Sequence, residues 1–196
     1  MKVRAKSPSQ RGTRNQLRII AGQWRGRRLT FPDVAGLRPT GDRIRETLFN
    51  WLAPHIVGSR CLDAFAGSGA LGFEALSRGA REAVMIERDA SAIAQLAASK
   101  ALLGASGATI IQADTLAWLR SQASGPPFDL VFLDPPFAGN LLQPAVDGLA
   151  NGALLAPGAL IYIETAAEAP LTIPDDWQTL REKTTGGISC RLLVRN

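Results

Sequence analysis

The segment Asp134-Pro135-Pro136-Phe137, which follows the apolar run 128–133, is the part of the sequence best suited to chemistry. Two consecutive prolines fix the backbone and remove two N–H groups, so rigid carbonyl oxygens stand beside a carboxylate without a competing donor. Such acceptors suit an amino group, and the ring of Phe137 offers a flat face for stacking a planar base. A rigid turn that caps a strand is the alternative. We disfavour it, because a polar residue ends the apolar run, and predict that Asp134, Pro135 and Phe137 are catalytic.

A glycine-rich segment, Asp63-Ala-Phe-Ala-Gly67-Ser-Gly69-Ala-Leu-Gly72, is the second such feature. Its glycines fit the pattern G-x-G-x-x-G, and Glu87 follows Gly67 by 20 residues. This spacing is typical of loops that cradle a nucleotide-like cofactor and of the carboxylate that binds its ribose. The pattern alone fits NAD, FAD or S-adenosylmethionine (SAM) equally, and a tight turn without a ligand is the simpler alternative.

The position of Asp63 distinguishes between these candidate cofactors. In dinucleotide-binding loops the first glycine comes at the strand end, whereas here Asp63 precedes a longer loop. A carboxylate at this place repels a pyrophosphate but attracts the ammonium and sulfonium charges of SAM. Asp114, after the apolar run 109–112, offers a carboxylate to the exocyclic amine of adenine or caps the following helix, and the two roles are compatible. The residues therefore favour SAM.

The charges of the chain are distributed unevenly. The net charge is +5, yet residues 1–45 hold twelve Arg or Lys and only two acidic residues, a net of +10, so the remaining chain carries −5. A strongly basic segment on an acidic body predicts a surface for a polyanion. Arginine predominates there, which suits phosphate contacts and stacking on exposed bases. A solvated tail is the alternative, and we prefer it for residues 1–16. The predicted RNA-binding residues are Arg18, Arg25, Arg27, Arg28, Arg38, Arg43 and Arg45.

Alternating strands and helices must position these residues. We predict strands at 60–65, 83–87, 109–112, 128–133 and 159–163, and helices at 70–78, 90–103, 116–121 and 141–150. This alternation predicts an α/β fold with a mostly parallel sheet and helices on both faces. Two further strands, 177–182 and 188–194, predict a final hairpin with one antiparallel strand at the sheet edge. Ligands of such sheets bind at the carboxyl ends of the strands, which is where the candidate residues follow.

The basic segment has elements of its own. A hairpin with strands at 17–22 and 27–31 precedes a helix at 42–52. The predicted core-facing stripe of this helix consists of Ile44, Leu48, Trp51 and Leu52. Arg43 and Arg45 lie outside that stripe near the helix start, where cations oppose the helix dipole. Their position therefore favours contact with an anion over a contribution to stability.

Composition excludes several other classes of protein. Cys61 and Cys190 provide no disulfide framework and indicate a reducing, cytoplasmic compartment. The single histidine, His55, and two distant cysteines form no usual zinc site, and no nucleophile motif accompanies His55. No apolar run approaches the ~18–20 residues that span a bilayer. We interpret His55 as a surface residue and both cysteines as buried in strands.

The combined motifs resemble SAM-dependent methyltransferases that act on exocyclic amino groups. From about residue 17 to 196 the chain is similar to the RsmD family of bacterial 16S rRNA guanine-N2 methyltransferases. The segments that carry this similarity are Arg18-Ile-Ile-Ala-Gly22, Trp24-Arg-Gly26, Leu37-Arg-Pro-Thr40, Asp42–Leu52 and Leu62–Gly72. The (D/N)-P-P-(F/Y/W) motif is shared with adenine-N6, cytosine-N4 and glutamine-N5 enzymes, so the N-terminal segments carry the narrower assignment.

The resemblance implies a division of the chain and a set of ligand contacts. It implies a Rossmann-like class I methyltransferase domain with a seven-stranded sheet at 53–196 and an RNA-contacting hairpin and helix at 17–52, and we expect a disordered basic tail at 1–16. Arg38 and Thr40 would help to close the site over the cofactor. The residues that would hold SAM are Asp63, Phe65, Ala66, Gly67, Ser68 and Gly69 for its methionine part, Glu87 for the ribose, and Arg88, Asp114 and Thr115 around the adenine.

The implied activity is methyl transfer from SAM to the N2 amine of one guanine in 16S rRNA, guanine 966 in the family's usual rRNA numbering, during small-subunit assembly. The product would be S-adenosylhomocysteine. The expected partner is 16S rRNA or the assembling small subunit, without a membrane, a metal or an obligate protein partner, and nothing demands more than a monomer. The alternatives are a DNA, other RNA or protein amino-methyltransferase with the same pocket, and a catalytically silent RNA-binding assembly factor. An NAD oxidoreductase ranks last.

Overall fold

The computed structural model describes residues 15–31, 41–121, 125–136 and 139–196. Its elements, in chain order, are β1 Asn15–Arg18, β2 Arg28–Phe31, α1 Asp42–Leu52, β3 Arg60–Asp63, α2 Ala70–Ser77, β4 Glu82–Glu87, α3 Ala90–Leu103, β5 Ala108–Gln112, α4 Thr115–Ser121, β6 Phe128–Leu133, α5 Leu142–Ala150, β7 Leu155–Ala166, β8 Trp177–Thr185 and β9 Ile188–Arg195. No helix in the described ranges is long and apolar enough to cross a bilayer.

Seven strands form one sheet in the order β5-β4-β3-β6-β7-β9-β8, and the first five of these pair in parallel. This confirms the predicted α/β fold. The predicted final hairpin is present, but the predicted edge position of its antiparallel strand is wrong. β9 runs antiparallel to both neighbours but lies between β7 and β8. β9 is the more apolar strand, with Cys190, Leu192 and Leu193 buried, whereas β8 is exposed after Trp177 and so suits the edge.

Each face of the sheet carries its own apolar cluster, because side chains alternate along a strand. The first cluster joins α1, α2, α3 and the N-terminal hairpin to one face, and the second joins α4 and α5 to the other. Strand residues of the first cluster include Cys61, Met85, Phe132, Tyr162 and Cys190. The predicted helices on both faces and the predicted burial of both cysteines are therefore confirmed. His55 is exposed just beyond α1, as predicted.

The strands of the N-terminal hairpin are shorter than predicted, because the segment between β1 and β2 binds α2 instead of extending their pairing. β1 and β2 pair only from Asn15 to Arg18, opposite Phe31 to Arg28. Beyond them, the N–H groups of Ile20 and Ala21 donate to the Glu74 carboxylate at 2.8 and 3.0 Å. The hairpin is thus fastened to the helix that follows the glycine-rich loop.

Gly22 permits this close approach. Its φ is +81°, and a Cβ atom built on it would lie 1.8 Å from the Ser77 carbonyl oxygen. The next two residues, Gln23 and Trp24, donate their N–H groups to the Ser77 carbonyl and hydroxyl oxygens at 2.8 and 3.0 Å. Only glycine combines this backbone conformation with the absence of a side chain.

The structure corrects the predicted role of Arg45. Arg45 is completely buried, whereas Ile44 and Trp51 of the predicted stripe are only partly buried. Its guanidinium donates to Asp42 Oδ1 at 2.6 Å and to the Arg18 carbonyl at 3.0 Å, and lies 3.7 Å from Glu74 Oε2. The prediction that Arg45 binds RNA is therefore wrong, because packing and ion pairs occupy the side chain. α1 instead buries Arg45, Leu48, Phe49 and Leu52.

Glu74 is the anion at the centre of these contacts. It is fully buried, accepts a 2.7 Å hydrogen bond from Arg78 Nε in addition to the two hairpin N–H groups, and faces Arg45. Removing one partner from a buried ion pair leaves an uncompensated charge, which costs several kcal/mol. The contact of the hairpin with the sheet therefore depends on this carboxylate.

We expect Glu74→Gln to lower the free energy of unfolding by about 3 kcal/mol, because the buried Arg45 and the partly buried Arg78 guanidinium groups lose this anion. Urea unfolding of the full chain measures the change. Glu46→Gln on the exposed side of α1 is the matched control, and we expect it to change the free energy by less than about 0.5 kcal/mol. Equal stabilities of the two variants would contradict a central role for Glu74.

Candidate active site

Acidic residues follow consecutive strands at one edge of the sheet. Glu87 and Asp63 end β4 and β3, Asp134 follows β6, and Asp114 follows β5. β3 and β6 are neighbours, and the strand order reverses between them, so Asp63 and Asp134 lie at the switch point where ligands of such sheets bind. The sequence predicted these four carboxylates, and the fold brings their strand ends together.

Asp63, Glu87 and Asp134 share one face of the sheet. The residues two positions before them, Cys61, Met85 and Phe132, belong to the first apolar cluster, and alternation gives Asp63 and Glu87 the same direction. Burial raises the pKa of Asp63 to about 7, and the nearby Asp134 and Glu87 charges add to the rise. A site that unites three carboxylates in this way attracts a cation.

Asp63 is held by the glycine-rich segment itself. The carboxylate is buried, and its Oδ2 atom accepts the N–H of Gly72 at 2.9 Å. A Cβ atom on Gly72 would lie 2.7 Å from Met85 Sδ, so the absence of a side chain here permits close packing of helix and sheet. Gly69, the N-cap residue before α2, has φ +78°, and a Cβ atom there would lie 2.6 Å from the Phe73 ring.

Backbone N–H groups orient Glu87. Its Oε2 atom accepts from Gly67 at 2.9 Å, and its Oε1 atom accepts from Arg88 and Asp89 at 2.8 Å each. Oε2 accepts only the Gly67 bond among these three, so its second lone pair suits a ribose hydroxyl. The side chain of Arg88 is exposed beside it. Among the other predicted cofactor contacts, Phe65 is partly buried, and Ala66 and Ser68 are buried within the loop.

Asp114 and Thr115 both have structural contacts. Asp114 Oδ1 accepts the N–H of Ala117 at 2.9 Å, so this carboxylate caps α4, while the residue remains exposed. The buried Thr115 hydroxyl donates to the Ala64 carbonyl at 2.5 Å. Asp114 therefore combines a cap with an exposed carboxylate, whereas the Thr115 hydroxyl proton ties α4 to the loop after β3.

The end of β6 carries the predicted acceptors for an amine. Asp134 is partly buried, Pro135 is buried and Pro136 is exposed. The predicted stacking residue, Phe137, lies outside the described residues, as do Arg38, Thr40 and residues 1–14 of the predicted tail.

The predicted RNA-binding arginines occupy different environments. Arg25, Arg27 and Arg28 are exposed on the hairpin, and Arg43 is exposed on α1. Arg18 is also exposed, with its guanidinium 3.4 Å from Asp42 Oδ2. These five side chains remain candidates for phosphate contact.

Known proteins share this arrangement along nearly the whole chain. A family model described as conserved hypothetical protein 95 matches residues 17–194. Ribosomal RNA small subunit methyltransferase D of Haemophilus influenzae is 50% identical over 181 residues, which cover 91% of this chain and 94% of that protein. The Escherichia coli protein of the same name is 49% identical over 191 residues, covering 97% and 95%.

The chain belongs to the RsmD family. This confirms the resemblance inferred from the N-terminal segments and the glycine-rich loop. The solved structure of Escherichia coli yhhF superposes with a TM-score of 0.85 and 49% identity, covering 93% of this chain and 99% of that one. The methyltransferase fold predicted from the sequence is thereby confirmed as well.

The acidic side chains of this RsmD-family site suit SAM. Asp63, Glu87 and Asp114 present hydrogen-bond acceptors, which match the ammonium group, ribose hydroxyls and adenine amine of that molecule. Sequence reasoning missed two buried carboxylates, Glu74 and Glu164. Glu164 could have been found by the signal that marked the others, since it directly follows the apolar run 159–163. Nothing in the local pattern marked Glu74.

We expect Asp63→Asn to stabilise the unliganded protein at alkaline pH. The amide oxygen still accepts the Gly72 N–H, but the ionisable group is gone. Because the pKa of Asp63 is raised from 3.8 to about 7 on folding, the folded state binds more protons than the unfolded state between these values, and wild-type stability falls as pH rises. The variant should gain about 3 kcal/mol more over wild type at pH 8 than at pH 4.5.

Urea unfolding at the two pH values tests this expectation. Exposed Asp175→Asn is the control, with changes below about 0.5 kcal/mol at either pH. If Asp63→Asn changed stability equally at pH 4.5 and pH 8, the raised pKa of Asp63 would be refuted.

Proposed function

We propose that this RsmD-family chain transfers a methyl group from SAM to the exocyclic N2 amine of one guanine in 16S rRNA, guanine 966 in the family's usual numbering, during assembly of the small subunit. The observation that carries this proposal is the meeting of Asp63, Glu87 and Asp134 at the switch point, with the acceptors of Asp134-Pro135 beside the cation site. The names of the relatives, which are ribosomal RNA small subunit methyltransferases, support the choice of an rRNA substrate.

The loop after β3 would bind the cofactor. Asp63 and residues 65–69 would hold the methionine part, with the carboxylate of Asp63 opposite its cationic groups. Glu87, already oriented by three backbone N–H groups, would bind the ribose hydroxyls. Arg88 and Asp114 are exposed at the adenine end. SAM, when bound, supplies an electrophilic methyl group on a sulfonium and leaves as neutral S-adenosylhomocysteine.

Asp134 and Pro135 would prepare the amine. The lone pair of guanine N2 is delocalised into the ring, so the amine is a weak nucleophile. The Asp134 carboxylate and the Pro135 carbonyl accept its two N–H bonds, which returns electron density to nitrogen and aims it at the methyl carbon. The proton released from nitrogen passes to Asp134 or to water. Phe137 would stack on the base, which must leave the RNA helix to enter.

The basic hairpin favours a nucleic acid over a protein amide as the substrate. Arg25, Arg27 and Arg28 are exposed on an element fastened to α2, the helix that begins at the cofactor loop. We therefore propose that the hairpin and α1, residues 17–52, form the RNA-contacting part of the chain, through Arg18, Arg43 and these hairpin arginines.

Methyl transfer from labelled SAM to 30S particles and to 16S rRNA, both from cells that lack this protein, tests the proposal. The expected product is N2-methylguanosine at one site, identified by mass spectrometry after digestion. Asp134→Ala should lower kcat by at least about 100-fold while SAM still binds, because an acceptor of the transition state is lost. Calorimetry measures that binding.

Three outcomes of this experiment are decisive. Normal turnover by Asp134→Ala would refute the mechanism. SAM binding without label on either RNA would redirect the search to DNA and protein amides. Absence of SAM binding would favour the catalytically silent RNA-binding factor.

The paired substitution Arg27→Ala with Arg28→Ala tests the RNA surface. Each phosphate contact that is lost should reduce the slope of log affinity against log salt by about 1, so binding weakens most at low salt. SAM affinity should stay unchanged, since neither residue belongs to the cofactor loop. Filter binding of 16S rRNA at several salt concentrations measures the slope. Exposed Arg120→Ala on α4, on the opposite face of the sheet, is the control, and an equal effect there would contradict a dedicated surface.

A further inference from the structure

Another buried carboxylate, Glu164, lies on the strand next to that of Asp134. Leu133 of β6 is opposite Ile163 of β7 in the last pair of these parallel strands, so Asp134 and Glu164 are the next residues along the two chains, although β7 itself continues to Ala166. Such strands lie about 4.8 Å apart. Two acceptors side by side at this spacing suit two donors carried by one small ring.

Both carboxylates belong to the same side of the sheet. Tyr162, two residues before Glu164, lies in the first apolar cluster together with Phe132, two residues before Asp134. Cys190 of β9, which is opposite Glu164, is near both groups. Burial raises the pKa of the Cys190 thiol to about 11, and the Glu164 and Asp134 charges contribute to the rise.

Tyr162 orients Glu164. Its hydroxyl donates to Glu164 Oε2 at 2.9 Å, and its oxygen is 3.3 Å from Cys190 Sγ. Tyr162 is 1% exposed and Glu164 4% exposed, so both residues are buried. Burial raises the pKa of Tyr162, so the hydroxyl stays a donor. A carboxylate can accept more than one hydrogen bond.

We propose that Glu164 selects guanine, its carboxylate accepting the N1–H of the base whose N2 amine is held by Asp134 and Pro135. This inference rests on the proposed function. N1 and N2 of guanine are bonded to the same ring carbon, so their acceptors must be neighbours, as Asp134 and Glu164 are, each following one residue of the Leu133–Ile163 pair. Adenine presents a lone pair at N1, which a carboxylate repels. Glu164 is thus a specificity-determining residue for a purine that carries a donor at N1.

Glu164→Gln, assayed on two substrates, tests this inference. If the amide oxygen keeps the bond from the Tyr162 hydroxyl, the NH2 group takes the place of the other carboxylate oxygen and presents a donor to the base. The substrates are 30S particles reconstituted with guanine or 2-aminopurine at the methylated position. 2-Aminopurine keeps the N2 amine but has a lone pair at N1. We expect kcat/KM on guanine to fall about 10- to 100-fold and the ratio of 2-aminopurine to guanine to rise at least about 10-fold.

Two further variants isolate this effect. Glu168→Gln, an exposed change of the same type four residues later, should leave both substrates unaffected. Glu164→Asp retains a carboxylate and should retain the wild-type preference for guanine at reduced kcat/KM, which keeps the inference testable should the Gln variant fail to fold.

The outcomes separate this inference from the proposed function. The role of Glu164 would be overturned by a Glu164→Gln enzyme whose ratio of 2-aminopurine to guanine does not rise. If that variant does not fold, a Glu164→Asp enzyme that loses the preference for guanine would overturn it. Wild-type methylation of guanine N2 would still stand in either case. A wild-type enzyme that methylates no guanine N2 would overturn the proposed function itself.

Discussion

The buried carboxylate of Glu74 is the contact on which the arrangement of the molecule depends. It accepts the N–H groups of Ile20 and Ala21, pairs with Arg78 and faces the buried guanidinium of Arg45. Charges removed from water in this way are tolerable only when they offset one another, so the cluster tolerates little change. Because α2 begins at the glycine-rich loop and binds the hairpin near its other end, the basic surface and the cofactor loop are attached to one helix.

Around Glu74, opposite charges offset one another, whereas at the carboxyl edge of the sheet charges of the same sign lie close together. A parallel sheet brings the carboxyl ends of its strands together, and here that geometry collects Asp63, Glu87 and Asp134 on one face. Their mutual repulsion and the burial of Asp63 appear in the raised pKa of that residue. The same repulsion makes the edge attractive to a cation with hydroxyl and amine donors. Stability of the unliganded chain and affinity for such a ligand therefore oppose each other at this site.

One residue type serves two purposes in the N-terminal segment. Arg45 lies within the core and neutralises acidic neighbours, whereas Arg25, Arg27 and Arg28 are exposed on the hairpin that this core holds in place. The division also explains why a count of charges predicts a polyanion surface without identifying which arginines form it.

The sequence by itself determined the order of strands and helices, the glycine-rich loop, and the acidic residues that end β3 and β4. These features follow from local periodicity and from spacings within about one strand–helix unit. Only the tertiary structure decided that Arg45 is buried, that β9 lies inside the sheet, and that Glu164 stands beside Asp134. Each of these depends on contacts between distant segments, as between Ile20 and Glu74, which are 54 residues apart. Local patterns carry no information about such partners, because burial and pairing arise only when the elements pack.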